Sequence, residues 1–239
     1  MSIITITDVS KNYKGKKALD NVCLQIEQGE LFGLLGVNGA GKTTLIKILC
    51  GLTKKTGGTV TLDGFDLDTQ MDKIKEIVDV SPQETSVANN LTVKENLEFI
   101  AQIYDNNDET AVNEIVEIFS LGEVLNQRAK TLSGGYKRRL SIAIALVSKP
   151  KILFLDEPTL GLDVFARREL WRIIEKLKKS VTIILTSHYL EEIEHLCDRV
   201  AILSKGELLQ VGTIEQIKRQ TESNTFEDAF IKLVEKSNG

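Results

Sequence analysis

Apolar and polar positions change period several times along this 239-residue chain, and each change marks an element. Ile4 and Ile6, followed by Val9, approximate the two-residue alternation of a half-buried strand, and Val22, Leu24 and Ile26 keep it strictly. The turn Glu27-Gln28-Gly29-Glu30 leads into the apolar run Leu31 to Leu35, of the kind buried on both faces. That run ends in GVNGAGKT, Gly36 to Thr43, and the next segment places Leu45, Ile48 and Leu49 on one helical face before Gly51 closes it. The local order is strand, loop, helix.

From about Asn89 to Ser148 the period becomes helical. Leu97, Ile100, Ala101 and Tyr104 recur at i, i+3, i+4 and i+7, as do Val112, Ile115, Val116 and Phe119. Parallel-strand patterns return in Lys151 to Glu157 and Val181 to His188, separated by a helical pattern from Val164 to Lys179. VAILSKGELLQVG predicts a hairpin turned at Lys205-Gly206, and Phe226, Ala229, Phe230 and Leu233 mark one face of a last short helix. The expected division is 1–88, a β subdomain and the first part of a core; 89–148, a helical insertion; 149–215, the second part of the core; and 216–239, a short helical tail.

Composition narrows the classes. With 42% hydrophobic and 27% charged residues the chain is expected to fold as an ordinary globular protein, and its length suits one lobed domain or two joined subdomains. Thirty basic against 34 acidic residues give a net charge of −4, which argues against a broadly basic nucleic-acid or anionic-lipid binder. There is no apolar stretch of about 18 residues, and the N-terminus, with its Lys cluster after the first apolar residues, is unlike a secretory signal. Cys23, Cys50 and Cys197 are odd in number and widely spaced, which predicts neither disulfides nor a zinc site. Each is expected to be a small buried hydrophobe in a reduced cytosolic compartment.

Candidate chemistry gathers at four places. GVNGAGKT satisfies G-x-x-x-x-G-K-[ST] with a strand before it and a helix after it. Small residues there let backbone N–H groups curl around a phosphate, Lys42 reaches β/γ oxygens, and the Thr43 hydroxyl ligates Mg²⁺. The strand ILFLD ends in adjacent carboxylates: Asp156 suits Mg²⁺, and Glu157, pointing the other way, suits polarising a water. His188 follows the strand Val181 to Leu185 and reads either as a structural histidine or as a γ-phosphate hydrogen-bonder, whereas His195 reads as structural. Ser133-Gly134-Gly135 opens a helix carrying Ile142, Ala145 and Leu146, and reads as an N-cap or as a second phosphate site.

Taken together, GVNGAGKT, Gln83 in SPQE, LSGGY, ILFLDEPTLGLD and His188 resemble the ordered motif set of ABC transporter ATP-binding subunits, over about Ile3 to Gly212. The resemblance implies an α/β fold: a P-loop NTPase (RecA-like) core with a mostly parallel sheet, an N-terminal antiparallel β subdomain and a helical insertion bearing the signature loop. It implies ATP and Mg²⁺ as cofactors, with Tyr13 stacking on adenine and Gly36, Val37, Asn38, Gly39, Ala40, Gly41, Lys42, Thr43 and Thr44 forming the phosphate loop. Gln83 would contact Mg²⁺ and sense a membrane partner, Ser133, Gly134 and Gly135 would form the signature loop, and Asp156 would be the magnesium aspartate. Glu157 would be the catalytic base, Asp163 a dimer contact and His188 the γ-phosphate sensor.

The implied assembly is a head-to-tail dimer in which each signature loop covers ATP held by the other subunit, bound to a separate transmembrane permease at the cytoplasmic membrane face, with no nucleic acid. Val37 stands where Pro is common and Tyr136 where Gln is usual. YKRRL, SHYLEEIEHLCDRV and TFEDAFIKLV are similar to the subfamily serving ABC-2-type exporters of drugs, antibiotics or sodium, and so suggest export. A soluble ABC ATPase without a permease, such as an assembly factor, is the alternative reading. From the short C-terminal segment, the regulatory domain appended to some importer subunits is not expected.

Overall fold

A computed structural model describes residues 1–104, 109–178 and 180–237. In chain order, strands β1 (Ser2–Tyr13), β2 (Lys16–Glu27) and β3 (Leu31–Leu35) precede helix α1 (Lys42–Leu49), strands β4 (Gly57–Leu62) and β5 (Phe65–Asp66), and helix α2 (Met71–Lys75). Strand β6 (Val78–Ser81) is followed by helices α3 (Val93–Ile103), α4 (Glu109–Ile118) and α5 (Gly134–Leu146). Then come β7 (Ile152–Asp156), α6 (Val164–Leu177), β8 (Thr182–Ser187), α7 (Leu190–Leu196), β9 (Arg199–Ser204) and β10 (Glu207–Gly212). Helices α8 (Ile214–Gln220) and α9 (Phe226–Lys236) end the chain. Backbone contacts divide it into two compact units, residues 1–75 with 182–239, and residues 76–181.

The first unit holds an antiparallel sheet ordered β2-β1-β4-β5. Ile4, Ile6 and Val9 of β1 and Val22, Leu24 and Ile26 of β2 are buried. The imperfect alternation of β1 has a structural cause: its register slips against β2 between Ile6 and Val9 and against β4 between Thr7 and Ser10. Asp8 takes a φ of 51° within this bulge, and the extra residue turns Val9 inward. Strand β3 pairs in parallel with both β8 and β9, and all five of its residues are buried, which is why its sequence shows no alternation. Strand β10 returns antiparallel to β9 across Lys205-Gly206, whose φ values of 49° and 86° suit a tight hairpin matched to strand twist.

Helix α1 ends where Gly51 N–H donates to the Ile48 carbonyl and Leu52 N–H to that of Lys47, the paired bonds of a Schellman cap. On α9 Phe226 and Ala229 are buried, with Phe230 and Leu233 half-buried on the same face.

In the second unit β6 and β7 pair in parallel, from Val78 opposite Ile152 to Ser81 opposite Leu155. Helix α3 starts with a capping box, Glu95 N–H donating to Thr92 Oγ1 at 3.1 Å and Thr92 N–H to Glu95 Oε2 at 2.7 Å. Leu97, Ala101, Ile115 and Phe119 are buried as their spacing predicts. Helix α6 ends at Leu177, and the expected last residue, Lys179, lies outside the described residues. The fold class is the expected α/β type, with parallel core strands, an antiparallel N-terminal sheet and a helical segment between β6 and β7. Among the described residues no helix is long and apolar enough to cross a membrane.

The cysteines correct the sequence reading. Cys23 is exposed and Cys50 and Cys197 are half-buried. Cys23 sits between the inward-facing Val22 and Leu24, so strand alternation turns it outward. There its thiol donates to Asp8 Oδ1 at 3.1 Å and accepts from Asp8 N–H at 3.2 Å.

Asp79, on β6, is a half-buried carboxyl that accepts from Val80 N–H at 2.7 Å and from the Ser148 hydroxyl at 3.1 Å. Burial outweighs these hydrogen bonds and pushes its pKa from 3.8 up to about 6. The folded state therefore holds a proton that the unfolded chain has released between these values, so this group's contribution to stability is full below pH 3.8 and is lost as pH rises through about 6. Asp79→Asn keeps the same shape and can donate to Ser148 in return. It is expected to stabilise the protein at pH 7.5 by about 1–2 kcal/mol after allowance for solvent screening, a gain that shrinks toward pH 5. Thermal melting of both proteins across that range checks it, and parallel pH profiles would refute it.

Candidate functional site

The loop from Gly36 to Gly41 owes its path to the absence of side chains at its ends. A Cβ on Gly36 would lie 2.5 Å from the Leu203 carbonyl oxygen and 2.8 Å from Ala40 Cβ. Gly41 has a φ of 110°, and a Cβ there would meet the Ala18 carbonyl oxygen and Leu19 Cδ2, both at 2.8 Å. Between them Ala40 N–H bonds the Val37 carbonyl at 3.1 Å, and the Ala40 carbonyl accepts from Gly206 N–H at 3.0 Å. Gly41 is the N-cap of α1 and has no side chain to cap with, so the first turn offers its backbone N–H groups to an anion. Lys42 is buried with Nζ donating to the Gly36 carbonyl at 2.6 Å, so its ammonium curls over the loop. Val37, Asn38, Gly39 and Thr43 are exposed, and Thr44 is half-buried.

The first unit adds His188 and Tyr13 to this end. Parallel pairing sets Leu35 opposite Ser187, so Gly36 and His188 leave neighbouring strands at the same edge. His188 is exposed, its ring 4.1 Å from that of Tyr189. Tyr13 pairs with Lys16 across the β1–β2 hairpin, two residues before the Ala18 carbonyl that faces Gly41. Tyr13 is 43% exposed, with Lys11 Nζ 4.6 Å from the ring centroid, so the residue is accessible to a flat ligand. His195 lies on the exposed side of α7.

The second unit gathers Gln83, Asp156 and Glu157. Ser81 pairs with Leu155, so Pro82-Gln83 and Asp156-Glu157 emerge side by side. Gln83 is exposed, whereas Asp156 and Glu157 are buried. Glu157 has a φ of 50° and precedes Pro158, a position that prefers extended backbone; such strain costs about 1–3 kcal/mol. Arg138 of α5, also buried, supplies the restraint that the sequence reading missed. Its Nη1 donates to the Pro82 carbonyl at 2.6 Å, and its Nη2 to the carbonyls of Gln83 at 2.8 Å and Glu157 at 2.9 Å. Hydrogen bonds to a charged group are worth about 1.5–3 kcal/mol each, enough to balance the strain. In the sequence Arg138 shows only as part of the basic run Lys137-Arg138-Arg139.

Ser133 caps α5, its Oγ accepting from Tyr136 N–H at 3.3 Å, and Asp163 caps α6, its Oδ1 accepting from Phe165 and Ala166 N–H at 2.9 and 3.0 Å. The two helix starts approach closely: a Cβ on Gly135 would lie 3.1 Å from Ala166 Cβ. Ser133, Gly134, Gly135 and Asp163 together line a cavity of about 310 Å³. Tyr136, the residue that departs from the usual amide, lies with its ring centroid 4.4 Å from the Arg139 guanidinium carbon, and Arg139 bonds Glu169 at 2.9 Å.

Comparison with known proteins bears on both units. The family model described as ABC transporter matches residues 19–160. The chain is 36% identical over 242 residues to the probable multidrug ABC transporter ATP-binding protein YbhF of Escherichia coli, which covers 98% of this chain but 42% of that protein. It is 37% identical to the linearmycin resistance ATP-binding protein LnrL of Bacillus subtilis, over 86% of this chain and 68% of that one. A solved structure described as the ATP-binding subunit of an ABC transporter matches with a TM-score of 0.86 and 28% identity, covering 97% of this chain and 99% of that one. The dimeric post-hydrolysis state of the ATP-binding cassette MJ0796, bound to ADP and Pi, matches with a TM-score of 0.78 and 25% identity, covering 88% and 98%.

Gly41→Ala tests the close approach at the loop. Its φ of 110° and the two 2.8 Å contacts that a Cβ would make should cost about 1–3 kcal/mol, lowering the melting temperature by several degrees. Gly39→Ala, at a φ of 83° with nothing within 4 Å, should cost less. Thermal denaturation of both variants checks the order, and a Gly41→Ala protein as stable as its parent would refute it.

Proposed function

The chain belongs to the ABC transporter family of ATP-binding proteins, and from that premise we propose that it is the motor subunit of an exporter, dimerising head-to-tail around two MgATP to drive a separate transmembrane permease. Its activity as an ATPase follows from membership and from the likeness to a cassette bound to ADP and Pi. The chain spans 42% of YbhF and 68% of LnrL, so the assembly around it is inferred. The dimer reading is supported by the likeness to the dimeric cassette over 88% of the chain, together with the helix-start cavity lined by Ser133, Gly134 and Gly135. Export is supported by the likeness to YbhF, a probable multidrug ABC transporter ATP-binding protein, and to LnrL, a linearmycin resistance ATP-binding protein.

In this reading the N–H groups at the start of α1 hold β/γ-phosphate oxygens, Lys42 neutralises their charge and Tyr13 stacks on the adenine. Asp156, Thr43 and Gln83 are hard oxygen donors, and among the described residues no cluster of His, Cys, Asp and Glu forms an all-protein metal cage. That donor set fits Mg²⁺, which keeps water and substrate phosphates in its shell and, when bound, offsets charge developing on the γ-phosphate. Glu157 accepts a proton from the attacking water while His188 hydrogen-bonds the γ-phosphate. Ser133, Gly134 and Gly135 of the second subunit cover the same phosphate, with Asp163 at the contact between subunits. The chain then resides at the cytoplasmic membrane face through its permease.

Lys42→Ala is expected to abolish MgATP turnover. Glu157→Gln is expected to lower turnover about a hundredfold or more while ATP binding persists, so that size-exclusion chromatography shows an ATP-dependent dimer. Unchanged turnover in the first variant would remove the phosphate-loop assignment, and a monomeric, ATP-loaded second variant would remove the composite site. Pull-down of the tagged protein from detergent-solubilised native membranes should recover a polytopic partner. Recovery of soluble partners alone would favour a soluble ABC ATPase without a permease.

A further inference from the structure

We infer that Arg138 is the positioning residue for Glu157: its guanidinium fixes the backbone that aims this carboxylate and ties it to the Gln83 segment. The inference rests on the ATPase reading above and adds to it a residue outside the motif positions. Glu157 follows the last residue of β7 with a φ of 50° and is followed by Pro158, so local preference alone would not hold it there. Its carbonyl accepts from Leu160 N–H at 3.2 Å and from Arg138 Nη2 at 2.9 Å. The same Nη2 reaches the Gln83 carbonyl at 2.8 Å, and Nη1 the Pro82 carbonyl at 2.6 Å. One planar, permanently charged group thus spans two strand ends and the first turns of α5, which begins at Ser133-Gly134.

Direction matters as much as strength. Arg138 reaches the backbone oxygens of Gln83 and Glu157, the atoms that set where each side chain starts. Displacing the Gln83 carbonyl shifts the Nη2 that also holds the Glu157 carbonyl, so movement of the Gln83 segment is felt at the carboxylate. A lysine cannot reproduce this, because its single ammonium lacks the flat fork that serves three carbonyls. The coupling therefore requires a guanidinium and not merely a positive charge.

The test compares the full-length parent with Arg138→Lys and Arg138→Ala. Steady-state MgATP hydrolysis, equilibrium binding of a fluorescent ATP analogue and amide hydrogen exchange are measured on each. In both variants kcat should fall about a hundredfold, the scale of a small misplacement of a catalytic group, with KM and analogue affinity within about threefold of the parent. Amides at 82–86 and 157–160 should exchange faster together, and added guanidinium ion should partly restore Arg138→Ala. If Arg138→Ala does not fold, Arg138→Lys carries the comparison. A folded variant with parental kcat, or with KM rising in step with the loss, overturns the inference, as does faster exchange along the whole of α5 without guanidinium rescue. A parent that binds ATP but turns over slowly alone is decided by exchange: the two segments loosen together or the inference fails. A parent that neither binds nor hydrolyses MgATP contradicts the ATPase reading itself.

Discussion

Backbone approach without a Cβ is the constraint on which the glycine loop from Gly36 to Gly41 depends. A side chain at Gly36 would strike the Leu203 carbonyl, and one at Gly41 the Ala18 carbonyl, so β9 and β2 define the walls between which the loop must pass. With its ends held so closely, the loop delivers the start of α1 to the edge where β3 stops, and no side chain there competes for the helix's first N–H groups. A run of backbone donors results, held in place by packing distant in sequence, as a preorganised anion site requires.

The second unit uses the opposite polarity. There, carbonyl oxygens of Pro82, Gln83 and Glu157 converge, and a buried guanidinium satisfies them. Both arrangements answer the same demand, that backbone groups at strand ends find partners once they leave the sheet ladder. One end leaves donors for a ligand; the other consumes acceptors internally and stiffens the backbone bearing a carboxylate. The strain at Glu157 persists because its surroundings over-determine it.

Most elements were legible because their periods are strong. The strict alternation of Val22, Leu24 and Ile26 and the unbroken run Leu31 to Leu35 could each be read in one way, and the helical face of Phe226 and Ala229 needed only its spacing. The loop at Gly36 to Thr43 was legible as a motif, but its walls were not, since Leu203 and Ala18 meet it only through tertiary pairing. The cysteines were misjudged by residue type, although the place of Cys23 between two inward residues already pointed outward. Arg138 was hidden for a related reason. A basic run reads as a solvated face, and only contacts spanning 55 and 19 residues reveal that this one is buried among carbonyls.

Tyr136 shows how a departure from a family pattern can be absorbed without disturbing the loop it follows. A phenol in place of an amide loses the amide's paired donor and acceptor, yet the backbone N–H of Tyr136 still donates to Ser133 Oγ. The ring turns instead toward Arg139, whose guanidinium carbon lies 4.4 Å from its centroid and whose Nη2 bonds Glu169 of α6 at 2.9 Å. A cation over an aromatic face contributes about 0.5–1 kcal/mol at a partly exposed site, and the Glu169 pair, half in solvent, adds less than a buried one would. These modest terms act between α5 and α6, the two helices whose starts carry Gly135 and Ala166 at close approach. The substitution thus moves polar work from the loop to the clamp behind it, leaving the exposed Ser133 and Gly134 open to a ligand.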